Sequence, residues 1–301
     1  MEQKFSNLGV MEAVNHSKNS AVEADTTSKH RRSITSQKGR GNLLRKICFA
    51  LLAVCIVFVR CDEKDDDDSN GNGNSKGDAV YLLETISWNG KLSERFEYDN
   101  QNRIKKINYF NNDGSTIYGT LTITYNSSGD ITSYKRQFDN YPDDNYEFTV
   151  TKDGNKVLLT DEGYVITIDL NAQGLPAKLV SRWSNSDFYY TRNFQYQKGN
   201  ISQETSIETW ENGSSTSTAT FTYDDKKSPF YHCKTPKWFF FDNMFWSFGL
   251  ENNITKITYS ENGTSTGSNN FENFAYNAAG FPIKRTFVEE EGIDEFTYII
   301  K

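Results

Sequence analysis

The chain has 301 residues, 24% of them charged and 14% aromatic, with a formal net charge of −7. That balance argues against nucleic acid or anionic lipid as a partner, since both are held by a basic surface. A mean hydropathy of −0.70 is also too polar for strands that face lipid.

Residues 1–43 are polar, show no hydrophobic periodicity, and read as an untranslated or disordered extension; a start near Leu44 gives an ordinary signal. Detecting a peptide from Met1–Leu43 by mass spectrometry would remove that reading. Residues 44–60 read as a lipoprotein signal peptide. Arg45-Lys46 forms its basic head, and the thirteen apolar residues Ile47–Val59 form its core. As a helix this run rises about 20 Å, short of the ~30 Å hydrocarbon layer, so a cleaved signal is favoured over a permanent span. Cys61 follows as the lipid-attachment residue, although Arg60 stands where a small residue is usual.

Residues 61–78 are an acidic Gly/Asn/Ser tether: Asp62, Glu63 and Asp65–Asp68, then Ser-Asn-Gly-Asn-Gly-Asn-Ser-Lys-Gly-Asp. Such a linker is flexible, with a reach of roughly 20–24 Å. An apolar core, a cysteine and an acidic stretch together resemble the surface lipoproteins of Bacteroidetes. The resemblance implies lipid anchoring in the outer membrane with the domain exposed at the cell surface. Loss of residues 1–60 removes 10 of 33 Lys and Arg and 4 of 40 Asp and Glu, leaving 23 against 36 and a charge of −13. Cys48 and Cys55 leave with the signal, so Cys233 is the one unmodified thiol, and a disulfide framework is excluded.

Residues 79–301 carry a repeated pattern: an apolar residue, any residue, Tyr, Asp or Asn, two residues, then Gly or Asn. It occurs at Phe96–Ile104, Ile123–Ile131, Ile168–Pro176 and Phe274–Pro282, with looser copies at Phe194–Ile201 and Phe221–Pro229 and a half copy at Phe296–Tyr298. Residues two apart share one face of a strand. Asp or Asn opens a turn, and Gly closes it in the left-handed region. About 16 candidate strands follow between Val80 and Ile300, at the spacing of an antiparallel meander.

A meander that long must curl or close, since an open sheet leaves exposed edges. The expected fold is therefore all-β: a long up-and-down meander of about 16 strands, forming a closed or partly closed soluble barrel with one aromatic-rich insertion. The Tyr-Asp hairpins, the element Asp225–Phe230 and the closing run Tyr276–Lys284 resemble a family of Bacteroidetes lipoproteins with a porin-like β-barrel fold and no assigned activity. The resemblance covers most of residues 79–301 and implies a fold, not a chemistry.

The insertion is Ser228–Leu250, with nine aromatic residues. One reading is a plug whose rings fill the end of the barrel. The other is a binding rim, on which Tyr231, Trp238, Phe240 and Trp246 are the candidate ligand-binding residues. His232 and Cys233 are adjacent but lack an orienting carboxylate and an oxyanion site, and Cys233 reads as a small buried hydrophobe. Asp143-Asp144, Asp161-Glu162 and Glu289–Glu291 fall in turns, as solvated charges. No catalytic residue, cofactor or metal site is assigned.

The expected function is a non-enzymatic, lipid-anchored surface domain that binds an extracellular ligand, a glycan or other nutrient, through the aromatic insertion. An accessory or structural role beside an outer-membrane transporter is the alternative. A remoter one is a carboxylate hydrolase, which needs two carboxyls roughly 5–10 Å apart in a cleft.

Overall fold

In the computed structural model, residues 79–139, 142–243 and 248–301 are described. The signal, Cys61, the tether and Trp246 lie outside them. Strict alternation of apolar and polar residues along short segments decides the architecture of the rest.

Sixteen strands occur among the described residues. The first eight are β1 (Tyr81–Trp88), β2 (Lys91–Tyr98), β3 (Ile104–Phe110), β4 (Ile117–Tyr125), β5 (Ile131–Phe138), β6 (Tyr146–Asp153), β7 (Lys156–Asp161) and β8 (Tyr164–Leu170). They continue with β9 (Pro176–Trp183), β10 (Tyr189–Gln197), β11 (Asn200–Trp210) and β12 (Gly213–Lys227). Beyond the insertion come β13 (Asn252–Glu261), β14 (Thr264–Tyr276), β15 (Pro282–Phe287) and β16 (Gly292–Ile300). Each strand pairs antiparallel with the next, and β1 pairs with β16 from Tyr81 opposite Ile300 to Trp88 opposite Asp294. The expected meander is thus a closed up-and-down barrel of 16 strands.

The two faces of the wall differ in chemistry. Inward positions include Leu121 and Ile123, Phe148 and Val150, Val157 and Leu159, and Ile166 and Ile168, all buried. Outward neighbours on the same strands are Thr120 and Thr122, Glu147 and Thr149, Lys156 and Thr160, and Thr167 and Asp169. Lys135–Glu147 at 3.0 Å and Lys156–Asp169 at 2.6 Å pair across adjacent strands on this outer surface. A charge facing lipid at mid-membrane costs about 2–4 kcal/mol. The outer face of β4–β8 is polar and charged.

The repeated motif builds one end of the barrel. In the turn after β4, the Asn126 side chain accepts the Asp130 amide at 2.9 Å, and Gly129 takes φ +90°. Asn171 and Asn277 each accept the amides two and four residues on, at 2.9–3.0 Å. Asp99 accepts the same two amides, and Asn102 replaces the glycine at φ 64°. Just past the motif turns the register slips by one residue, a β-bulge opposite Tyr98, Tyr125, Leu170, Tyr196 and Tyr276, and the same slip occurs opposite Tyr223 on β13, beyond the insertion.

The tyrosines bridge neighbouring hairpins. Tyr125 donates its hydroxyl to the Ile104 carbonyl at 2.7 Å, Tyr196 to Pro176 at 2.6 Å, and Tyr298 to Pro282 at 2.7 Å. Tyr98 donates to Leu83 at 2.8 Å, and Tyr223 bonds the backbone of Ile201. Leu83, Ile104, Pro176 and Pro282 each immediately precede a bulge residue, so Tyr98, Tyr125, Tyr196 and Tyr298 each satisfy a carbonyl beside a bulge, while Tyr276 donates to the Asp224 carboxylate instead.

Sixteen strands about 4.8 Å apart and tilted about 40° enclose a lumen about 30 Å across between backbones, too wide for wall side chains alone to fill. The insertion fills it at the motif end. Its short helix α1 (Trp238–Asp242) carries Phe239, Phe240 and Phe241, all fully buried. Phe241 meets Phe194 of β10 edge-on at 4.8 Å, Phe239 meets Tyr134 of β5 at 5.6 Å, and Phe230 meets Phe96 of β2 at 5.5 Å. Thr235 accepts the Ile104 amide at 2.8 Å, and His232 Nδ1 accepts the Tyr81 amide at 2.9 Å, so the plug also caps strand ends. Its neck is pinned by Ser228, whose hydroxyl donates to Leu250 at 2.9 Å.

Candidate functional site

The candidate ligand-binding residues of the insertion separate. Trp238 is 3% exposed and Phe240 fully buried, both inside the plug, where neither ring offers a face to a ligand. Tyr231 is 39% exposed at the plugged end, near His232, Phe281 and the Lys227 ammonium. His232 and Cys233 do unrelated work: the imidazole accepts the Tyr81 amide, while the buried thiol donates to Thr235 at 3.4 Å. Burial pushes that thiol above its ordinary pKa, the reverse of what a nucleophile needs.

Polar chemistry gathers instead on the inner wall of the other half, away from the motif turns. Registers there place Glu94 opposite Tyr109, Arg136 opposite Tyr146, Tyr164 opposite Trp183, Arg192 opposite Ser206, and Arg285 opposite Asp294. Each lies on the same inward face as the core residues of its strand. Rings line the wall between these charges. Tyr164 and Trp183 lie 5.1 Å apart, Tyr146 and Phe148 5.1 Å, and Phe271 and Phe287 stack at 5.0 Å. Trp183 and Trp210, at the rim, remain 44% and 43% exposed.

Two buried ion pairs stiffen the wall. Arg192 donates through Nε and Nη2 to the two oxygens of Glu204 at 2.8 and 2.9 Å, and through Nη1 to the Phe241 carbonyl of the plug at 3.0 Å. Ser206 donates to Glu204 at 2.9 Å. Burial opposes the charge of Arg192, yet the carboxylate overrides it and holds the guanidinium pKa above its ordinary value. Arg285 donates to Asp294 at 2.7 Å and lies 4.2 Å from the centre of the Phe271 ring and 4.5 Å from that of Phe248.

Two other carboxyls are less neutralised. Glu94 is half-buried, and desolvation, then the Asp294 charge, push its pKa up to about 7 against a bond from Ser93. Asp242 ends α1, beside Tyr134 and near the Arg136 and Arg192 guanidiniums. Burial raises its pKa, while the Tyr134 hydroxyl, Arg192 and Arg136 pull it back. Tyr134 and, at 3.5 Å, Asn243 both approach the Oδ2 atom. Both carboxyls are densely surrounded yet keep accessible surface, as groups facing an enclosed lumen do.

None of these residues was a sequence-level candidate. A signal for them existed: Glu94, Arg192 and Asp294 each stand two residues before the aromatic of a motif copy, on the face that faces inward.

No protein-family model matches the chain, and no curated protein matches it. Among solved structures it is similar to a porin-like protein from Bacteroides vulgatus ATCC 8482, at 13% identity and TM-score 0.39, over 73% of this chain and 99% of that one. It is also similar to a porin-like protein from Bacteroides uniformis ATCC 8492, at 15% identity and TM-score 0.32, over 73% and 99%. A third similarity, to a TcdB2-TccC3-TEV structure, is at 10% identity and TM-score 0.24, over 64% of this chain and 11% of that one.

Proposed function

We propose that this chain is a lipid-anchored, cell-surface barrel that binds an extracellular ligand in the unplugged half of its lumen and performs no chemistry on it. The observation that carries the reading is the inner wall of that half, where Tyr146, Tyr164, Arg136, Glu94 and Asp242 stay only partly buried between two buried ion pairs, with Trp183 and Trp210 exposed at the rim. A concave wall with a few fixed polar groups among rings is the usual composition of a ligand site. The binding seat thus moves from the insertion to the wall opposite it, and the insertion becomes its floor.

The first and last described strands meet at the plugged end, where Val80 and Lys301 exchange backbone hydrogen bonds of 3.0 Å. The polar outer wall suits a domain held above a membrane rather than within it.

The test is to screen the protein carrying Cys61→Ala, which removes the anchor, against neutral glycans, charged glycans, peptides and apolar metabolites by tryptophan fluorescence. At least one class should give a saturable change that Trp183→Ala removes. A natively folded protein that responds to no class would refute the reading, as would turnover of the bound compound for its non-enzymatic part. Wild-type protein in cells should take up a labelled fatty acid that the Cys61→Ala form does not.

A further inference from the structure

Trp183, Tyr164 and Tyr146 form a strip of rings on the inner wall, and Asp242 lies beside its far end. Trp183 stands at the rim, and its ring centre is 5.1 Å from that of Tyr164. Phe148 bridges Tyr164 to Tyr146 at 6.1 and 5.1 Å, and the Tyr146 hydroxyl donates to Asn243 Oδ1 at 3.1 Å. Asn243 adjoins Asp242, whose Oδ2 takes the Tyr134 hydroxyl. That leaves Oδ1 for another donor among the described residues. The strip runs from flat apolar faces to a fixed hydrogen-bond acceptor.

The charges around Asp242 select the ligand. Arg136 lies 4.7 Å from the centre of the Tyr146 ring, and Arg192 is bonded to the carbonyl next to Asp242. Glu204 neutralises Arg192 through two bonds. Arg136 and Arg192 both act on Asp242, so this end of the strip presents charges of both signs. A cationic ligand would meet Arg136 and Arg192, and an anionic one would meet Asp242 and Glu204. A ligand without charge, rich in hydroxyl donors and bearing one apolar face, meets neither penalty.

We infer that the open half of the lumen is a seat for a neutral saccharide, stacked on Trp183 and Tyr164 and hydrogen-bonded through its hydroxyls to Asp242. This deepens the ligand-binding reading and rests on it. A sugar ring presents C–H groups on one face and hydroxyls at its edge, which matches an aromatic wall beside a carboxylate. Tyr134 holds the carboxylate in place, and burial keeps its own pKa well above the ordinary phenol value, so it remains the donor. A fixed acceptor costs a ligand less to engage than a mobile one.

The test titrates the anchor-free protein with neutral hexasaccharides of glucose, mannose, xylose and galactose, alongside oligogalacturonate and a chitosan oligosaccharide. Tryptophan fluorescence and calorimetry give the affinities. At least one neutral hexasaccharide should bind, with Trp183→Ala weakening it about tenfold or more and Asp242→Asn about 10- to 100-fold, as for a lost stack and a lost charge-assisted hydrogen bond. Trp183 is exposed, so its variant keeps the test decisive even if Asp242→Asn does not fold. Binding of only the charged oligosaccharides in a Trp183-dependent way would overturn the saccharide class and leave the lumen reading standing. Neutral sugars that bind equally well to wild type and both variants would overturn this site. No response to any glycan, in protein whose Trp183 responds to a peptide or apolar compound, would overturn the class alone. Silence toward every probe would overturn both readings.

Discussion

Removing the hydroxyl of Tyr125 tests whether the repeated motif stitches hairpin to hairpin. Tyr125→Phe keeps the ring, and with it the Arg103 guanidinium 4.2 Å from the ring centre, while deleting the 2.7 Å bond to the Ile104 carbonyl. A weaker approach to Thr235 at 3.3 Å is lost as well. Burial pushes the Tyr125 pKa well above the ordinary phenol value, so the group is a proton donor throughout the accessible range. A typical net loss for one such bond is about 1 kcal/mol, rising toward 2 when the orphaned carbonyl stays dry. For a domain of this size that is about 3–6 °C in Tm. The same substitution at Tyr98, Tyr196 or Tyr298 should cost a similar amount, because each hydroxyl has the same kind of carbonyl partner. Tyr98 and Tyr196 lie on β2 and β10, across the barrel from one another, so their losses should add within about 0.5 kcal/mol. Urea denaturation followed by far-UV circular dichroism measures all of this. If the four single variants each unfold within 0.3 kcal/mol of wild type, a value on the order of the error in such comparisons, the hydroxyls do not hold the hairpins together.

Other perturbations probe the plug and the wall. Phe240→Ala empties a sealed site and should cost about 3–5 kcal/mol, without altering affinity for any ligand that binds beside Trp183; a stable variant would refute the plug. Glu204→Gln strands the buried Arg192 charge and should cost about 3–5 kcal/mol in the same denaturation assay, and loosen the plug through the Phe241 carbonyl. Glu94 carries a raised pKa, so the folded state binds more protons than the unfolded one between pH 4.5 and about 7. Stability should therefore fall as pH rises through that window, by about 2 kcal/mol from pH 5.5 to 8, and Glu94→Gln should flatten the profile. Asp99, Asp113 and Glu289 have lowered values and act in the opposite sense, losing their support as pH falls through and below the ordinary carboxylate range.

Hairpins, strand number and closure were legible in the sequence because they depend on local signals repeated many times. Asp or Asn followed by Gly three residues later specifies one turn, and seven copies of an alternating pair fix which strand face is apolar. The bulges were not legible. Lys105, Thr132 and Ala177 look like ordinary strand residues, and only the slipped register shows that each is the extra one. The plug was legible as an interruption of the rhythm, but its place in the lumen was not, since rings that fill a barrel and rings that line its rim have the same composition. Arithmetic separates them: a 16-strand barrel leaves more room than its wall side chains can occupy, so an internal run of adjacent rings is needed inside.

The wall of the open half was missed for a reason that also bears on its role. Reading the motif outward from Tyr, attention stops at the aromatic two residues before it, where the apolar pattern ends. One step further, the same parity gives Glu94 before Phe96 and Tyr98, Arg192 before Phe194 and Tyr196, and Asp294 before Phe296 and Tyr298. A charge on the core-facing parity of a strand is costly unless it is paired or meets water. Arg192 and Asp294 are paired, with Glu204 and Arg285. Glu94 has Ser93 as its one hydrogen-bond partner among the described residues and a pKa near neutrality. In three other copies the corresponding positions are Leu121, Ile166 and Ala219, which need no partner, although Leu121 and Ala219 stand directly opposite Arg136 and Glu204. What the position marks is a need for pairing: a neighbouring strand supplies the partner for Arg192 and for Asp294, while Glu94, which has no such partner among the described residues, carries the raised pKa instead.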